Sequence, residues 1–533
     1  MLAFATVLDE LSFTQSRNGK LALLEQYFRV TPDPARGWAL AALTDGLPLR
    51  FPMRRIISDL MAERIDPVLF KLSRDYVGDT AETVALLWPD TVAARVNSPA
   101  LHDVVASFRS ASPAEMRPLL AGLLDQLDVR GRWALLKLLG GAPRVGVSAR
   151  LARTALAAAL GKDLAEIEEL WHGLTPPYLA LFQWADGAAQ RPDAAGLPVF
   201  RPLMLAPPIE EPDWIDLKAE DFAAEWKWDG IRVQIAAAPG GVRIFSRNGD
   251  DISPTFPEIA SAFVGRHVTV DGELLVLRDG VVAPFNDLQQ RLNRKTVTPK
   301  QLRDYPAHVR LYDVLFIGTE DVRTLPFAER RKQLEAWCTE PGAANTDVSE
   351  RVPFADFAEL AVLRDNARAA GIEGLMLKRL ASPYLAGRPK GHWYKWKRDP
   401  LMLDCVLMYA QRGSGKRSSF YSDYTFGVWR PTADGARELA PVGKAYSGFT
   451  DAELKEVDRF IRTNTLESFG PVRSVAPALV LEVAFDAVQR SSRHKSGVAM
   501  RFPRIHRIRW DKPAAEADTL EAVLSLIPTN EPS

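Results

Sequence analysis

A proline-rich segment divides this 533-residue sequence into two stretches with different hydrophobic patterns. Six prolines fall within residues 191–214, which interrupts regular helix or strand and favours a linker. Before this segment, apolar residues recur at helical spacing, as in Leu164, Ile167 and Leu170. After it, short runs alternate apolar and polar residues, as strands do. The pattern predicts an all-α region, a linker and then domains that contain β-sheet.

Length and pattern together predict a multidomain chain. A single core rarely serves more than about 250–300 residues, so 533 residues favour roughly three domains. Strands broken by Asn-Gly and Asp-Gly turns, together with a helix from Phe327 to Trp337, predict a mixed α/β (α+β) domain. Further strands surround a helix that starts at Thr450 with a capping box, which suits a small β-barrel. We expect a helical domain over residues 1–200, the α/β domain over 201–398 and an OB-fold barrel over 399–533.

Charge and cysteine content narrow the possible functions. The net charge is zero, but residues 130–162 hold seven basic residues and no acid, and residues 490–512 hold eight basic residues and one acid. Such runs are typical of solvated surfaces and also of segments that contact phosphate. The two cysteines, Cys338 and Cys405, cannot form a disulfide framework or a four-cysteine zinc module. With neither a secretory signal nor a membrane span in the pattern, we expect a cytoplasmic protein.

The segment around Lys227 carries the strongest chemical signal. It reads Glu225-Trp226-Lys227-Trp228-Asp229-Gly230-Ile231-Arg232. A lysine at a strand end becomes a nucleophile when burial and nearby positive charge lower its pKa from about 10.4, because only the neutral amine attacks. Arg232 and a bound metal ion could supply that charge. Read alone, the segment is equally typical of a surface strand followed by a tight turn.

The segment is also the first of an ordered series of motifs between residues 227 and 512. In this order they resemble the motifs of the covalent nucleotidyltransferases, the group of DNA ligases, RNA ligases and mRNA capping enzymes. The later motifs are Ser246-Arg247-Asn248-Gly249, Asp271-Gly272-Glu273-Leu274, Leu311-Tyr312-Asp313, Glu373-Gly374-Leu375-Met376-Leu377-Lys378, Trp393-Tyr394-Lys395-Trp396-Lys397, and Arg501-Phe502-Pro503-Arg504 with Arg509-Trp510-Asp511-Lys512.

The resemblance implies a role for each matching residue. Lys227 attacks the α-phosphorus of ATP and holds AMP, while Tyr312 stacks on adenine and Glu225 flanks its amino edge. Core packing of a strand is the alternative for Tyr312. Magnesium prefers a few carboxylates plus water and phosphate, which suits Glu273 and Glu373 as its ligands. The resemblance places phosphate contacts at Arg232, Arg247, Lys395, Lys397, Arg509 and Lys512.

One position departs from the family pattern. Many relatives have an arginine four residues before the first tryptophan of the fifth motif, where this sequence has Pro389. Arg388 and Lys390 lie on either side of it. We assign the phosphate-binding role to Arg388.

The N-terminal region distinguishes among members of the group. Gly140-Gly141-Ala142-Pro143-Arg144-Val145-Gly146 looks like the helical DNA-binding domain of archaeal and eukaryotic replicative ligases, with Arg144 and Arg150 as DNA contacts. RNA ligases and capping enzymes lack such a domain, and NAD-dependent ligases carry a four-cysteine zinc module. A DNA-binding scaffold with a decayed nucleotide site would have lost catalytic residues that are present here.

The resemblance therefore implies an ATP-dependent DNA ligase, similar to certain bacterial enzymes. Its expected cofactors are ATP and Mg²⁺, and its expected partner is nicked duplex DNA, which a monomer encircles in the nucleoid during repair, recombination or replication. Gly413-Ser414-Gly415-Lys416 is not a P-loop, because Ala410 replaces the upstream glycine and no Ser or Thr follows Lys416. We interpret this segment as a basic loop of the barrel.

Overall fold

The chain divides into two compact units, Leu160–Arg398 and the combination of Met1–Ala159 with Asp399–Ser533. The computed structural model describes residues 1–49, 51–90, 98–141, 143–193, 196–292, 294, 297–339, 343–367, 372–413, 421–446, 450–491 and 494–527. Most of the predicted basic barrel loop, from Ser414 to Lys416, lies outside these residues, as does Ala142 of the predicted DNA-binding loop. The three domain ranges derived from the sequence remain predictions.

The described part of residues 1–185 is helical, as the spacing of apolar residues predicts. Helix α1 packs its buried side chains, among them Phe4 and Leu8, against α9. Buried Arg132 of α9 donates to the carbonyl oxygens of Leu124 and Trp88 at 2.8 and 3.0 Å. The helices are α1 (Leu2–Phe13), α2 (Arg17–Val30), α3 (Ala35–Leu43), α4 (Met53–Ala62), α5 (Pro67–Val77), α6 (Thr80–Leu87), α7 (Leu101–Ser110), α8 (Met116–Gln126), α9 (Val129–Leu139), α10 (Ala149–Leu160), α11 (Leu164–Leu170) and α12 (Leu179–Ala185).

Besides α11 and α12, the Leu160–Arg398 unit contains five helices and two sheets among its described residues, and the strands of these sheets are antiparallel except for the parallel pair β6 and β8. One sheet has the strand order β11-β10-β1-β9, and the other runs β3-β2-β4-β6-β7, with β5 and β8 at its sides. The elements are β1 (Phe222–Trp228), β2 (Ile231–Ala238), β3 (Gly241–Ser246), α13 (Pro257–Ala262), β4 (Val268–Arg278), β5 (Val281–Val282), α14 (Phe285–Gln289), α15 (Pro299–Asp304), β6 (Ala307–Ile317), β7 (Glu320–Asp321), α16 (Phe327–Thr339), β8 (Thr346–Val348), β9 (Arg351–Val352), α17 (Phe357–Asn366), β10 (Ile372–Arg379) and β11 (Trp393–Lys397).

The proline-rich segment is not a simple linker, which corrects the prediction for residues 191–214. Met204 is fully buried and packs in one apolar cluster with Leu315 and Trp393. Further along, the backbone N–H of Lys395 donates to the carbonyl oxygen of Pro207 at 2.9 Å. Proline lacks an N–H but keeps its carbonyl, so a proline-rich segment can still add to the edge of a sheet.

The described residues of 399–533 form a curled sheet, a separate two-stranded sheet, one long helix and a short helix near the end. Strand β12 pairs with β17 through its first half and with β16 through its second half, so the sheet turns around this strand. Thr450 and Glu453 form the predicted capping box of α18. The elements are β12 (Leu401–Arg412), β13 (Tyr421–Pro431), β14 (Arg437–Ala445), α18 (Asp451–Thr463), β15 (Thr465–Phe469), β16 (Val472–Val475), β17 (Val480–Phe485), β18 (Ala487–Arg490), β19 (Val498–Arg501), β20 (Arg504–Arg509) and α19 (Leu520–Ser525).

Candidate active site

Strands β1, β10 and β11 place the predicted lysines on one sheet face. Lys227 of β1 is opposite Gly374 of β10, and Gly374 is opposite Lys397 of β11. Two residues further along β10, Met376 is opposite Glu225 of β1 on one side and opposite Lys395 of β11 on the other. Cross-strand partners and alternate residues of a strand share a face. Lys395 and Lys397 therefore lie on one face, as their alternation predicts, and this face also carries Lys227.

Gly374 permits a close approach of β10 and β11 beside Lys227. Its φ is +144°, and a Cβ atom there would lie only 2.3 Å from the carbonyl oxygen of Trp396. A side chain at this position would therefore push the strands apart. Gly230 has a similar function in the turn after β1, where a Cβ atom would lie 2.6 Å from the carbonyl oxygen of Leu274. Both glycines belong to the sequence motifs because the backbones approach closely there.

Glu373 joins two lysines of this face. Its Oε2 atom forms an ion pair with Lys227 Nζ and lies 3.5 Å from Lys397 Nζ. The Lys227 side chain is 24% exposed, so solvent and a ligand can still reach the amine. The structure thus places the predicted nucleophile beside one predicted metal ligand and one predicted phosphate contact.

Arg232 is held in a buried network that the sequence did not predict. Its Nε atom donates to Asp271 Oδ1 at 3.1 Å, and its Nη1 atom donates to the carbonyl oxygen of Met204 at 2.7 Å. The Tyr384 hydroxyl donates to Asp271 Oδ2 at 2.7 Å and accepts from Arg232 at 3.2 Å. Tyr312 donates to Asp271 Oδ1 at 3.3 Å. Asp271 lies inside a recognised motif, but Tyr384 lies in the β10–β11 connection and carries no sequence signal.

Glu273 lies among the charges of this network and of Lys227. The pKa of Glu273 is raised to about 8, chiefly by burial and also by Glu373 and Asp271, against the lowering effect of Lys227 and Arg232. In the sheet, Glu273 is directly opposite Arg232. The two predicted metal ligands, Glu273 and Glu373, are therefore close enough to repel each other, and both interact with Lys227.

Four cations of this unit act on the charge of Lys395. Partial burial lowers the pKa of the Lys395 ammonium, and Arg388, Lys397, Arg247 and Lys227 lower it further by repulsion. Arg388 and Arg247 are exposed. A cluster of this kind attracts an anionic ligand. Arg388, assigned from sequence next to Pro389, is one member of the cluster.

Glu225 is almost fully buried between two cations that sequence reasoning missed. Its Oε1 atom accepts from Arg331 Nη1 at 3.1 Å, and its Oε2 atom accepts from Lys378 Nζ at 3.1 Å. Lys378 Nζ also lies 4.4 Å from the centre of the Tyr312 ring, within reach of a cation–π interaction. Lys378 belongs to a recognised motif, whereas Arg331 on α16 has no distinguishing sequence signal. The residues predicted to bind adenine, Glu225 and Tyr312, are thus connected through Lys378.

The remaining predicted residues lie in the other unit. Arg509 Nη1 and Lys512 Nζ both donate a hydrogen bond to Asp404 Oδ2, at 3.3 and 2.8 Å. Exposed Arg144 has a positive φ of 57° in the connection between α9 and α10, and exposed Arg150 lies in the first turn of α10. Lys20 Nζ fixes that connection by donating to the carbonyl oxygens of Val145 and Gly146 at 2.7 and 2.9 Å.

The described residues contain neither a cluster of several metal ligands nor a membrane-spanning helix. No group of three or more His, Cys, Asp or Glu side chains there has the arrangement of a metal site. Within the same residues, no helix combines the length and apolar character needed to cross a membrane.

A half-buried lysine that faces two carboxylates and a cation cluster fits the site of a covalent nucleotidyltransferase. The family model for the ATP dependent DNA ligase domain matches residues 203–397, and the model for the ATP dependent DNA ligase C terminal region matches residues 417–512. The chain belongs to the family of ATP-dependent DNA ligases. Its reaction is the ATP-dependent sealing of DNA nicks through adenylation.

Similar proteins include bacterial and archaeal ligases. A probable DNA ligase of Koribacter versatilis is 38% identical over 436 residues, which cover 77% of this chain and 74% of that protein. A probable DNA ligase of an Anaeromyxobacter species is 34% identical, over 82% of this chain and 83% of its own. DNA ligase 1 of Korarchaeum cryptofilum is 31% identical, over 77% of this chain and 75% of its own. The solved structure titled Pmar-Lig_PreS3 shares the fold, with a TM-score of 0.54 and 15% identity over 95% of this chain and 99% of its own.

Substituting Gly374→Ala should impair adenylation by displacing the strands that carry Lys227, Glu373 and Lys397. The added Cβ atom would meet the Trp396 carbonyl oxygen at 2.3 Å, and overpacking of this kind costs about 1–3 kcal/mol. The measurement is the rate at which the protein takes up radiolabelled AMP from ATP.

The matched control is Gly391→Ala, which also has a positive φ, 83°, but has open space around the new Cβ atom. It should lose stability through backbone strain, about 1–2 kcal/mol, and still adenylate at nearly the normal rate. Equal rates for the two variants would contradict the importance of the close approach at Gly374.

Proposed function

We propose that Lys227 is the residue that carries AMP. The observation that supports this role is the position of its amine beside Glu373 and opposite Lys397, across Gly374. The neutral amine attacks the α-phosphorus of ATP, and pyrophosphate leaves as the N–P bond forms. A 5′-phosphate oxygen at the nick then attacks this AMP, and the lysine leaves. In the last step the 3′-hydroxyl attacks the adenylated 5′-phosphate, and AMP is released.

The cation cluster is proposed to bind the ATP phosphates. Lys395 and Lys397 stabilise the negative charge that develops on the α-phosphate, and Arg247 and Arg388 hold other phosphate oxygens. The repulsion that these cations exert on Lys395 supports this role, because an anion among them would relieve it. Arg232 is proposed to bind a phosphate oxygen while its side chain stays paired with Asp271. Because this ion pair already restricts the side chain, less entropy is lost when ATP binds.

Adenine is proposed to bind at the Tyr312 ring. A tyrosine ring offers a flat π-face on which a base can stack, and Tyr312 is partly exposed. Glu225 is proposed to recognise the amino edge of the base. Its carboxylate is held in place by Arg331 and Lys378, which also offset the cost of burying its charge.

Glu273 and Glu373 are proposed to hold a magnesium ion. Both carboxylates interact with Lys227, and two carboxylates suit Mg²⁺, which otherwise keeps water and substrate phosphates as ligands. A bound Mg²⁺ would neutralise phosphate charge during attack. The chain's own residues orient the two carboxylates for this purpose.

The other unit is proposed to act on pyrophosphate and DNA. Arg509 and Lys512 orient the leaving pyrophosphate during lysine adenylation, and the curled sheet of residues 399–533 is proposed to be an OB-fold. Arg144 and Arg150 are proposed to contact the phosphates of duplex DNA. We further propose a cytoplasmic, nucleoid-associated monomer that encircles nicked DNA during repair, recombination or replication.

Lys227→Ala should abolish nick sealing with ATP, because no other side chain replaces the attacking amine. The assay follows a nicked duplex with a labelled 5′-phosphate at the nick in the presence of ATP and Mg²⁺. Lys332→Ala, which removes an exposed lysine on α16, should seal at the normal rate. Sealing by the Lys227→Ala protein would rule out the proposed role of this residue.

Arg509→Ala and Lys512→Ala should slow adenylation of the protein far more than they slow sealing of a nick that already carries 5′-AMP. Pyrophosphate leaves only in the first step, and lost electrostatic stabilisation of a reacting group costs about 100-fold or more in rate. Single-turnover rates of the two reactions provide the comparison. Equal losses in both would argue for a structural or DNA-binding role of these cations.

Arg144→Glu and Arg150→Glu should each weaken binding to nicked duplex DNA and reduce its salt dependence. Each lost phosphate contact should make the plot of log affinity against log salt shallower by about one. Lys332→Glu makes the same charge change outside the helical region and should leave the slope unchanged. If all three variants gave the normal slope, the two arginines would not contact DNA.

A further inference from the structure

Asp404 forms ion pairs with both cations of the last motif, Arg509 and Lys512. It lies in β12, opposite Glu482 of β17, and its side chain is only 12% exposed. Its Oδ2 atom accepts from Arg509 Nη1 at 3.3 Å and from Lys512 Nζ at 2.8 Å. One carboxylate oxygen therefore connects the two cations of the last motif, which are proposed to act on the same group.

The backbone of Asp404 is fixed independently of these ion pairs. Its N–H donates to Asp518 Oδ2 at 2.7 Å, and the N–H of Asp518 donates back to the Asp404 carbonyl oxygen at 2.9 Å. Val480 and Leu481 of β17 pair with the neighbouring strand residues Val406 and Cys405. The carboxylate is thus presented from a strand whose backbone is held by hydrogen bonds on both sides.

The Asp404 ion pairs help to order both side chains. Arg509 is also held by Asp511, to which its Nε and Nη2 atoms donate at 2.9 and 2.8 Å, whereas Lys512 pairs with Asp404 alone among the described residues. Lysine and arginine each carry about 2 kcal/mol of rotamer entropy, part of which is lost on forming a precise contact. Asp404 accepts one N–H of Lys512 and one from Nη1 of Arg509, and Asp511 accepts from Nε and Nη2 of Arg509, so each cation still keeps further donors for phosphate oxygens. The hydrogen bond that Lys512 donates to Asp404 also raises the pKa of the Lys512 ammonium.

Glu482 provides a contrast within the same sheet. Its carboxylate lies 3.7 Å from Arg509 and 2.9 Å from Arg507, and its side chain is 15% exposed. No ion pair between Glu482 and Lys512 occurs among the described residues. Glu482 thus resembles Asp404 in charge, burial and proximity to Arg509, but it does not connect the two cations.

We propose that Asp404 is a positioning residue for lysine adenylation, which orients Arg509 and Lys512 toward the pyrophosphate that leaves ATP. This inference rests on the proposed role of those two cations. During the step the Lys227 N–P bond forms, the bond between the α-phosphorus and pyrophosphate breaks, and the cations receive the charge of the departing pyrophosphate. Microscopic reversibility requires the same orientation when pyrophosphate attacks the lysyl-AMP.

The test uses Asp404→Asn and Glu482→Gln in the full-length protein, together with Arg509→Ala. Three single-turnover rates are measured: AMP uptake from ATP, AMP removal from the adenylated protein by added pyrophosphate, and sealing of a nick that already carries 5′-AMP. Asp404→Asn should slow the first two reactions by about 10- to 100-fold and leave the third close to normal. Glu482→Gln should be close to normal in all three.

Asp404→Glu keeps the negative charge on a longer side chain, so it should recover part of the lost rate of AMP uptake and AMP removal. This variant also provides a test of the charge if Asp404→Asn folds poorly. Normal or faster AMP uptake by Asp404→Asn would overturn the positioning role, as would equal losses for Asp404→Asn and Glu482→Gln. If Arg509→Ala also adenylates normally, the proposed role of the cations themselves is wrong. A slow Arg509→Ala with a normal Asp404→Asn would refute the role of Asp404 alone.

Discussion

The arrangement of the site depends on the close approach of β10 and β11 at Gly374. Because a glycine occupies this position, Lys227 and Lys397 can lie on either side of it, and the adjacent Glu373 can pair with both amines. The contact brings the proposed nucleophile, a carboxylate and a proposed phosphate-binding cation from three strands to one place. The other cations that repel Lys395 lie near this row of residues.

Most charges of the site are held by oppositely charged partners before any ligand binds. Arg232 is paired with Asp271, and Glu225 is paired with Lys378 and Arg331, all with little exposure to solvent. Burying such groups is costly unless each is paired and hydrogen-bonded, so these networks fix side-chain orientation at some cost in stability. Lys395 differs from these paired groups, because the cations around it repel its positive charge. A bound anion would relieve this repulsion.

The sequence patterns predicted the local structure well and the contacts between motifs poorly. Helical spacing in residues 1–185, the helix that starts at Phe327 and the capping box at Thr450 were confirmed, since they depend on neighbouring residues. The packing of residues 201–209 against β11 was not predicted, because prolines indicate only where regular structure stops. Tyr384 was missed for a similar reason: its hydroxyl reaches Asp271 through the fold and not through sequence spacing.

The central claim is that Lys227 is the single residue that receives AMP. The most direct measurement is peptide-level mass spectrometry of the protein after incubation with ATP and Mg²⁺, followed by proteolysis under conditions that preserve the phosphoramidate bond. The account predicts one added AMP group per chain, located on Lys227, and its loss when pyrophosphate or nicked DNA is added. AMP located on Lys395 or Lys397, or a chain that remains unmodified, would contradict it.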